Sequence, residues 1–147
     1  MIRQATIADA SRIAEILIFT KRMNYRKIFR NDKVSFGEMQ VYPLAINYID
    51  HPEELDGIWV YEDEFVKGMM HHDGKQIVEL YVDSFFENQG IGSKLIKYAI
   101  EQLDCDFLWV LEKNTKAIRF YQRHGFVLTE EKQHEEGTTE YIVKMRR

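Results

Sequence analysis

Apolar residues recur along this chain in two rhythms, one near 3.6 residues and one of two. Ile7, Ala10, Ile13, Ala14, Leu17 and Met23 form a stripe at helical spacing. The short strand-like run Ile2-Arg3-Gln4-Ala5 precedes them, and Thr6 with Asp9 three residues on has the form of a capping box. Residues 24–34 are polar and mixed, which predicts a loop. Ser35 and Glu38 mark a second helical start, which Pro43 should kink or divide. Gly57–Tyr61 and Phe65–Met70 read as strands about the acidic turn Glu62-Asp63-Glu64, and Asp73-Gly74 turns the chain into the longest strand signal, Gln76–Val82. A third helix begins at Gly90-Ile91-Gly92-Ser93 with the stripe Ile91, Leu95, Ile96, Ala99, Ile100 and Leu103. Phe107–Leu111 has the character of a buried strand. Asn114–His124 is helical and stops at Gly125, and Phe126–Thr129 and Tyr141–Met145 close the chain as strands. The order β-α-α-β-β-β-α-β-α-β-β predicts a mixed α/β sheet with helices on both faces.

No linker, repeat or low-complexity tract divides the 147 residues, so residues 1–147 read as a single domain. A chain that is 45% apolar can build a core. The single cysteine, Cys105, excludes a disulfide scaffold and a thiolate zinc site. The five histidines show no ligand spacing, so no metal is expected. With 20 basic against 24 acidic side chains the net charge is -4, which argues against nucleic-acid binding. The uncharged stretch 39–49 is too short to span a membrane, and the N-terminal residues lack the apolar segment of a secretory signal. These features predict a soluble cytoplasmic protein.

Chemistry is expected where a strand ends, glycines follow and a helix begins, because the first N–H groups of a helix have no intrahelical partner and its dipole favours an anion. Glu87-Asn88-Gln89-Gly90-Ile91-Gly92-Ser93 lies at such a junction. The dinucleotide pattern G-x-G-x-x-G fails at Leu95, and the P-loop pattern fails because Ser93 separates Gly92 from Lys94.

Two segments resemble the GNAT superfamily of acetyl-CoA-dependent N-acetyltransferases, in its small, single-domain, bacterial type. Leu80-Tyr81-Val82-Asp83 running through Glu87 to Leu95 is similar to the family's strand, pyrophosphate loop and helix. Asn114-x-x-Ala117-x-x-Phe120-Tyr121-x-x-x-Gly125-Phe126 is similar to its second cofactor motif. The resemblance implies a central mixed sheet splayed between strands 4 and 5, and acetyl-CoA as cosubstrate. Its pantetheine arm would run along the main chain of Leu80, Tyr81 and Val82, and its pyrophosphate would rest on Asn88, Gln89, Gly90, Ile91, Gly92 and Ser93. Glu87 departs from the family's usual Gln or Arg at that place, and a carboxylate there should turn away from the phosphates.

The resemblance further implies that Asn114 and Ala117 flank the arm and that Tyr121 is the general acid. A phenol holds its proton at neutral pH and can pass it to a departing thiolate. Glu79 is the candidate general base, with Glu38 and Glu112 as alternates and water alone a further possibility. Tyr25, Phe36 and Glu38 have the character of an acceptor site, since aromatic walls and a carboxylate suit a cationic amine. Transfer would be direct, within a ternary complex. The alternative is a non-catalytic coenzyme A sensor with the same fold, to which Glu87 and the uncertain base lend weight. Exposed sheet edges leave a homodimer open.

Overall fold

Strand alternation divides the apolar residues between two faces of one sheet. The computed structural model of the chain describes residues 1–147, with the side chains of all but Lys27 and Phe29. Its elements are β1 (Ile2–Gln4), α1 (Ala10–Phe29), α2 (Val41–Asp50), β2 (Ile58–Asp63), β3 (Phe65–Asp73), β4 (Gln76–Val82), α3 (Ile91–Glu101), β5 (Phe107–Leu111), α4 (Thr115–Arg123), β6 (Val127–His134) and β7 (Tyr141–Arg146). The strands form one sheet in the order β1-β2-β3-β4-β5-β7-β6, and β4–β5 is its parallel pair. Ile58, Val60, Val66 and Met69 pack with α1 and α2 on one face. Met70, Ile77, Leu108, Val110, Val143 and Met145 pack with α3 on the other. Met69 and Met70, adjacent on β3, are both fully buried, so the sheet is dry on both sides at its centre. Each such side chain contributes about 1.5–3 kcal/mol by leaving water.

The predicted element order holds, and the differences have physical causes. The segment 24–34, predicted as a loop, continues α1 to Phe29 and ends at Arg30, which takes a left-handed φ of 51°. Its polarity does not mark a loop, because Asn24 and Tyr25 face an open cleft where no apolar stripe is needed. Ser35 and Glu38 lie in a π-helical turn (Lys33–Glu38), and α2 starts after it, at Val41. Pro43 therefore sits in the first turn of α2, where a missing N–H costs nothing, and does not kink it. Ile7 and Met23, assigned to the buried stripe of α1, are exposed, while Ile16 and Ile18 are buried. β6 runs on to His134, its pairing with β7 broken by an irregularity between Leu128 and Lys132.

The start of the chain is pinned by charge. Asp9 accepts the N–H of Thr6 at 2.9 Å and two bonds from Arg3, at 2.8 and 2.9 Å, while Arg3 also reaches Glu62 at 2.8 Å. The Arg3 guanidinium holds the Asp9 carboxyl below the usual carboxylate range.

The sheet splits at β4. Pairing with β5 is limited to Gln76–Phe107 and Ile77–Leu108, although β5 stays paired to β7 as far as Leu111. On the other side β4 pairs Glu79 with His71 and Ile77 with His72, leaving Val78 as an extra residue. Such a bulge bends its strand and sharpens the twist, and here it coincides with the point where β4 leaves β5. Beyond it Asp83 donates its N–H to Lys67 of β3 at 2.9 Å. Main-chain groups alternate in direction along a strand, so the N–H and C=O groups of Leu80 and Val82 point away from β3 and into the gap.

Candidate active site

The gap is flanked by two adjoining pockets, the halves of one cleft, each of about 500 Å³. Leu80, Tyr81, Asn114, Ala117 and Tyr121 line both halves, so the split in the sheet is the passage between them.

One half lies at the mouth of α3. After β4, Asp83 caps a short turn by accepting the N–H of Phe85 at 2.9 Å. Arg12 of α1 holds the same carboxylate at 2.6 Å and the carbonyl of Val66 at 2.8 Å, which ties the loop to the core. Asn88 (φ 63°) and Gly90 (φ 82°) take left-handed conformations and turn the chain into α3. The first intrahelical bond there runs from Lys94 to Gly90 at 3.1 Å, so the N–H groups of Ile91, Gly92 and Ser93 remain free of helix partners. Asn88, Gly90, Ile91, Gly92 and Ser93 line the cleft, whereas Gln89 stands in the loop outside that lining. Glu87 is at the mouth beside Lys116, at 3.6 Å, which offsets its charge. Asn114 caps α4, its side-chain oxygen accepting from Ala117 N–H at 3.2 Å, so its amide nitrogen is left as the donor toward the cleft.

Lys116, Arg119 and Arg123 line this half as a stripe on α4. Sequence reasoning passed over them, though their spacing of three and four between Asn114 and Gly125 carried the signal. Three cations against Glu87 make this half net positive. The opposite half is lined by Lys21 against Glu79 and Glu135, so it is net negative.

Tyrosines gather at the passage. The Tyr25 and Tyr81 hydroxyls, from α1 and β4, are 3.0 Å apart. Tyr121 is 9% exposed, held edge-on by Phe120 and Phe126. Burial, with Tyr25 nearby, pushes the Tyr121 phenol well above its ordinary value. Burial also raises Tyr25 and Tyr81. Glu79 lies on the α1 face of β4, paired with Lys21 at 3.2 Å. Tyr25 joins it in the net-negative half. Phe36 and Glu38 line neither half. Phe36 is exposed under the guanidinium groups of Arg22 and Arg26, and Glu38 is exposed in the same turn. Glu112 pairs with Lys132 at 2.9 Å. Cys105 is buried, with its thiol pushed up to about 11, chiefly by that burial. Among the described residues no group of three or more His, Cys, Asp or Glu is placed to hold a metal ion, and no helix is long and apolar enough to cross a membrane.

A mixed sheet split beside a bulge, with an anion-receptive helix start at its mouth, is the architecture of the N-acetyltransferase fold. Solved structures share it over nearly the whole chain. The PaiA N-acetyltransferase of Thermoplasma acidophilum, in complex with coenzyme A, is 17% identical with a TM-score of 0.70, covering 100% of this chain and 98% of that one. An N-acetyltransferase of Staphylococcus aureus is 17% identical with a TM-score of 0.74 over 99% and 98%. The ribosomal-protein-alanine N-acetyltransferase of Brucella melitensis is 20% identical with a TM-score of 0.72 over 100% and 98%. In sequence, the model of the Acetyltransferase (GNAT) domain family matches residues 54–128, just over half of the chain. The chain belongs to that family. The peptidyl-lysine N-acetyltransferase YjaB of Salmonella typhimurium is 35% identical over 68 residues. That match spans 46% of this chain and 46% of YjaB, about half the length of the curated relative.

Proposed function

We propose that the protein, as one domain over residues 1–147, transfers an acetyl group from acetyl-CoA to an amine held in the net-negative half of the cleft. The observation that carries this reading is the passage itself: β4 leaves β5 after Ile77, and both halves meet at Tyr121. The donor set fits the cosubstrate's chemistry. Main-chain groups of Leu80 and Val82 suit an amide-bearing arm laid along a strand edge, and three free N–H groups with Lys116, Arg119 and Arg123 suit a diphosphate.

Bound acetyl-CoA supplies the acyl group in activated thioester form. The N–H of Leu80, fixed in the gap, donates to the thioester oxygen and stabilises negative charge as it develops there. Asn114 donates its amide to the arm, and Ala117 leaves room for it. Glu79 takes the ammonium proton, directly or through one water, and so frees the nitrogen lone pair. Tyr121 gives its proton to the departing sulfur. Its raised pKa keeps it protonated at neutral pH, and the same dry surroundings raise the proton affinity of the thiolate. Tyr25 lines the amine's approach. The related YjaB is a peptidyl-lysine N-acetyltransferase, and a lysine side chain is an amine of this general kind. The buried free thiol of Cys105 suits a reducing, cytoplasmic setting, and the exposed edge strand β6 suits a homodimer.

The test is thiol release from acetyl-CoA over a panel of amines, followed by a mass gain on the acceptor that matches exchange of one hydrogen for an acetyl group. Tight coenzyme A binding with no thiol release on any amine would instead favour the non-catalytic reading.

A further inference from the structure

Glu135 lies in the cleft without a role in the scheme above. It stands in the turn between β6 and β7, where its N–H bonds to Glu140 at 2.8 Å and its carbonyl accepts from Thr138 N–H at 3.0 Å. The backbone under the side chain is therefore fixed. The residue lines the acceptor half together with Lys21, Tyr25, Glu79 and Trp109. Its charge is felt at Tyr25, where, after burial, the nearby carboxylates Glu79 and Glu135 favour the protonated phenol. The two carboxylates differ in one respect. Glu79 is neutralised by Lys21 at 3.2 Å, whereas Glu135 forms no ion pair among the described residues.

The acceptor half thus carries one uncompensated negative charge. At the reacting nitrogen a second carboxylate would only repeat the proton-accepting role already given to Glu79. It is better used on a cation that does not react. We propose that Glu135 recognises a second cationic centre on the acceptor, so that the preferred substrates are dicationic: a free diamine, or a lysine beside another basic residue. This rests on the acetyl-transfer reading above and adds the substrate class to it.

Binding to the protein loaded with coenzyme A, where no turnover occurs, tests the inference by calorimetry. Diaminobutane is compared with butylamine, and N-acetyl-lysyl-arginine amide with N-acetyl-lysyl-alanine amide, in the wild type and in Glu135→Gln. A charge-assisted bond of this kind is expected to favour at least one dicationic probe by about tenfold or more over its match. Glu135→Gln is expected to erase that preference, and the pair that shows it identifies the source of the second charge. Equal affinities within both pairs, no binding of any probe, or a preference that survives Glu135→Gln would each overturn the inference. Failure of the acetyl-transfer reading shows elsewhere, as coenzyme A binding without thiol release in the amine panel.

Discussion

Tyr121→Phe removes one oxygen and keeps the ring. The ring's contacts are edge-on, at 5.3 Å from Phe120 and 5.9 Å from Phe126, and none depends on the hydroxyl. The variant should therefore fold with a loss below about 1 kcal/mol. Coenzyme A binding loses at most one neutral hydrogen bond, about 0.5–1.5 kcal/mol, or up to about tenfold in Kd. Turnover is expected to fall much further, since a positioned general acid contributes about 10²–10⁴-fold. The wild-type phenol is raised by burial, so its deprotonation should not limit the rate below about pH 10. Single-turnover thiol release at saturating acetyl-CoA and amine, with coenzyme A affinity measured in parallel, separates the two effects. A loss of about a hundredfold or more in rate with a nearly unchanged Kd is the expected result. A rate within about threefold of wild type would remove Tyr121 from the acid role, because so small a change is below what proton transfer supplies.

Two further outcomes follow from the ion pairs. Arg12→Gln frees Asp83 at the base of the loop before α3, so coenzyme A affinity measured by calorimetry should weaken by about fivefold to tenfold; an unchanged Kd would show that the loop holds its shape alone. Asp9→Asn breaks the bonds to Arg3 and should cost about 1–3 kcal/mol in denaturant unfolding at neutral pH. The Asp9 carboxyl is depressed in the folded state, so its stabilising contribution is present above its unfolded value near 3.9 and is lost as pH falls through the lower folded value. The gap between wild type and Asp9→Asn should accordingly narrow below about pH 4; a constant gap would contradict the assignment.

Much of this was legible in the sequence because the signals were local. The strand Gln76–Val82 and the glycine turn before α3 each depend on a few neighbouring residues and lie where the pattern put them, whereas Asn114, read as part of the helix, stands just before α4 as its cap. What escaped depended on tertiary context. The polar end of α1 looked like a loop because Asn24 and Tyr25 face the cleft, where hydrophobic periodicity has no reason to continue. The bulge at Val78 leaves no composition signal, yet it accompanies the departure of β4 from β5. Phe36 and Glu38 had suitable chemistry for an acceptor site, but neither lines the cleft, whereas the neighbouring Met39 does. Glu135 supplies a carboxylate there from a distant hairpin, a meeting that only the sheet order β5-β7-β6 brings about.

Hydrogen exchange at single amides, with and without coenzyme A, tests the central geometry most directly. Leu80 and Val82 in the gap and Ile91, Gly92 and Ser93 at the start of α3 should become protected when coenzyme A binds, while Tyr81, whose main chain already faces β3, changes little. Saturating coenzyme A with those five amides unaltered would contradict the account.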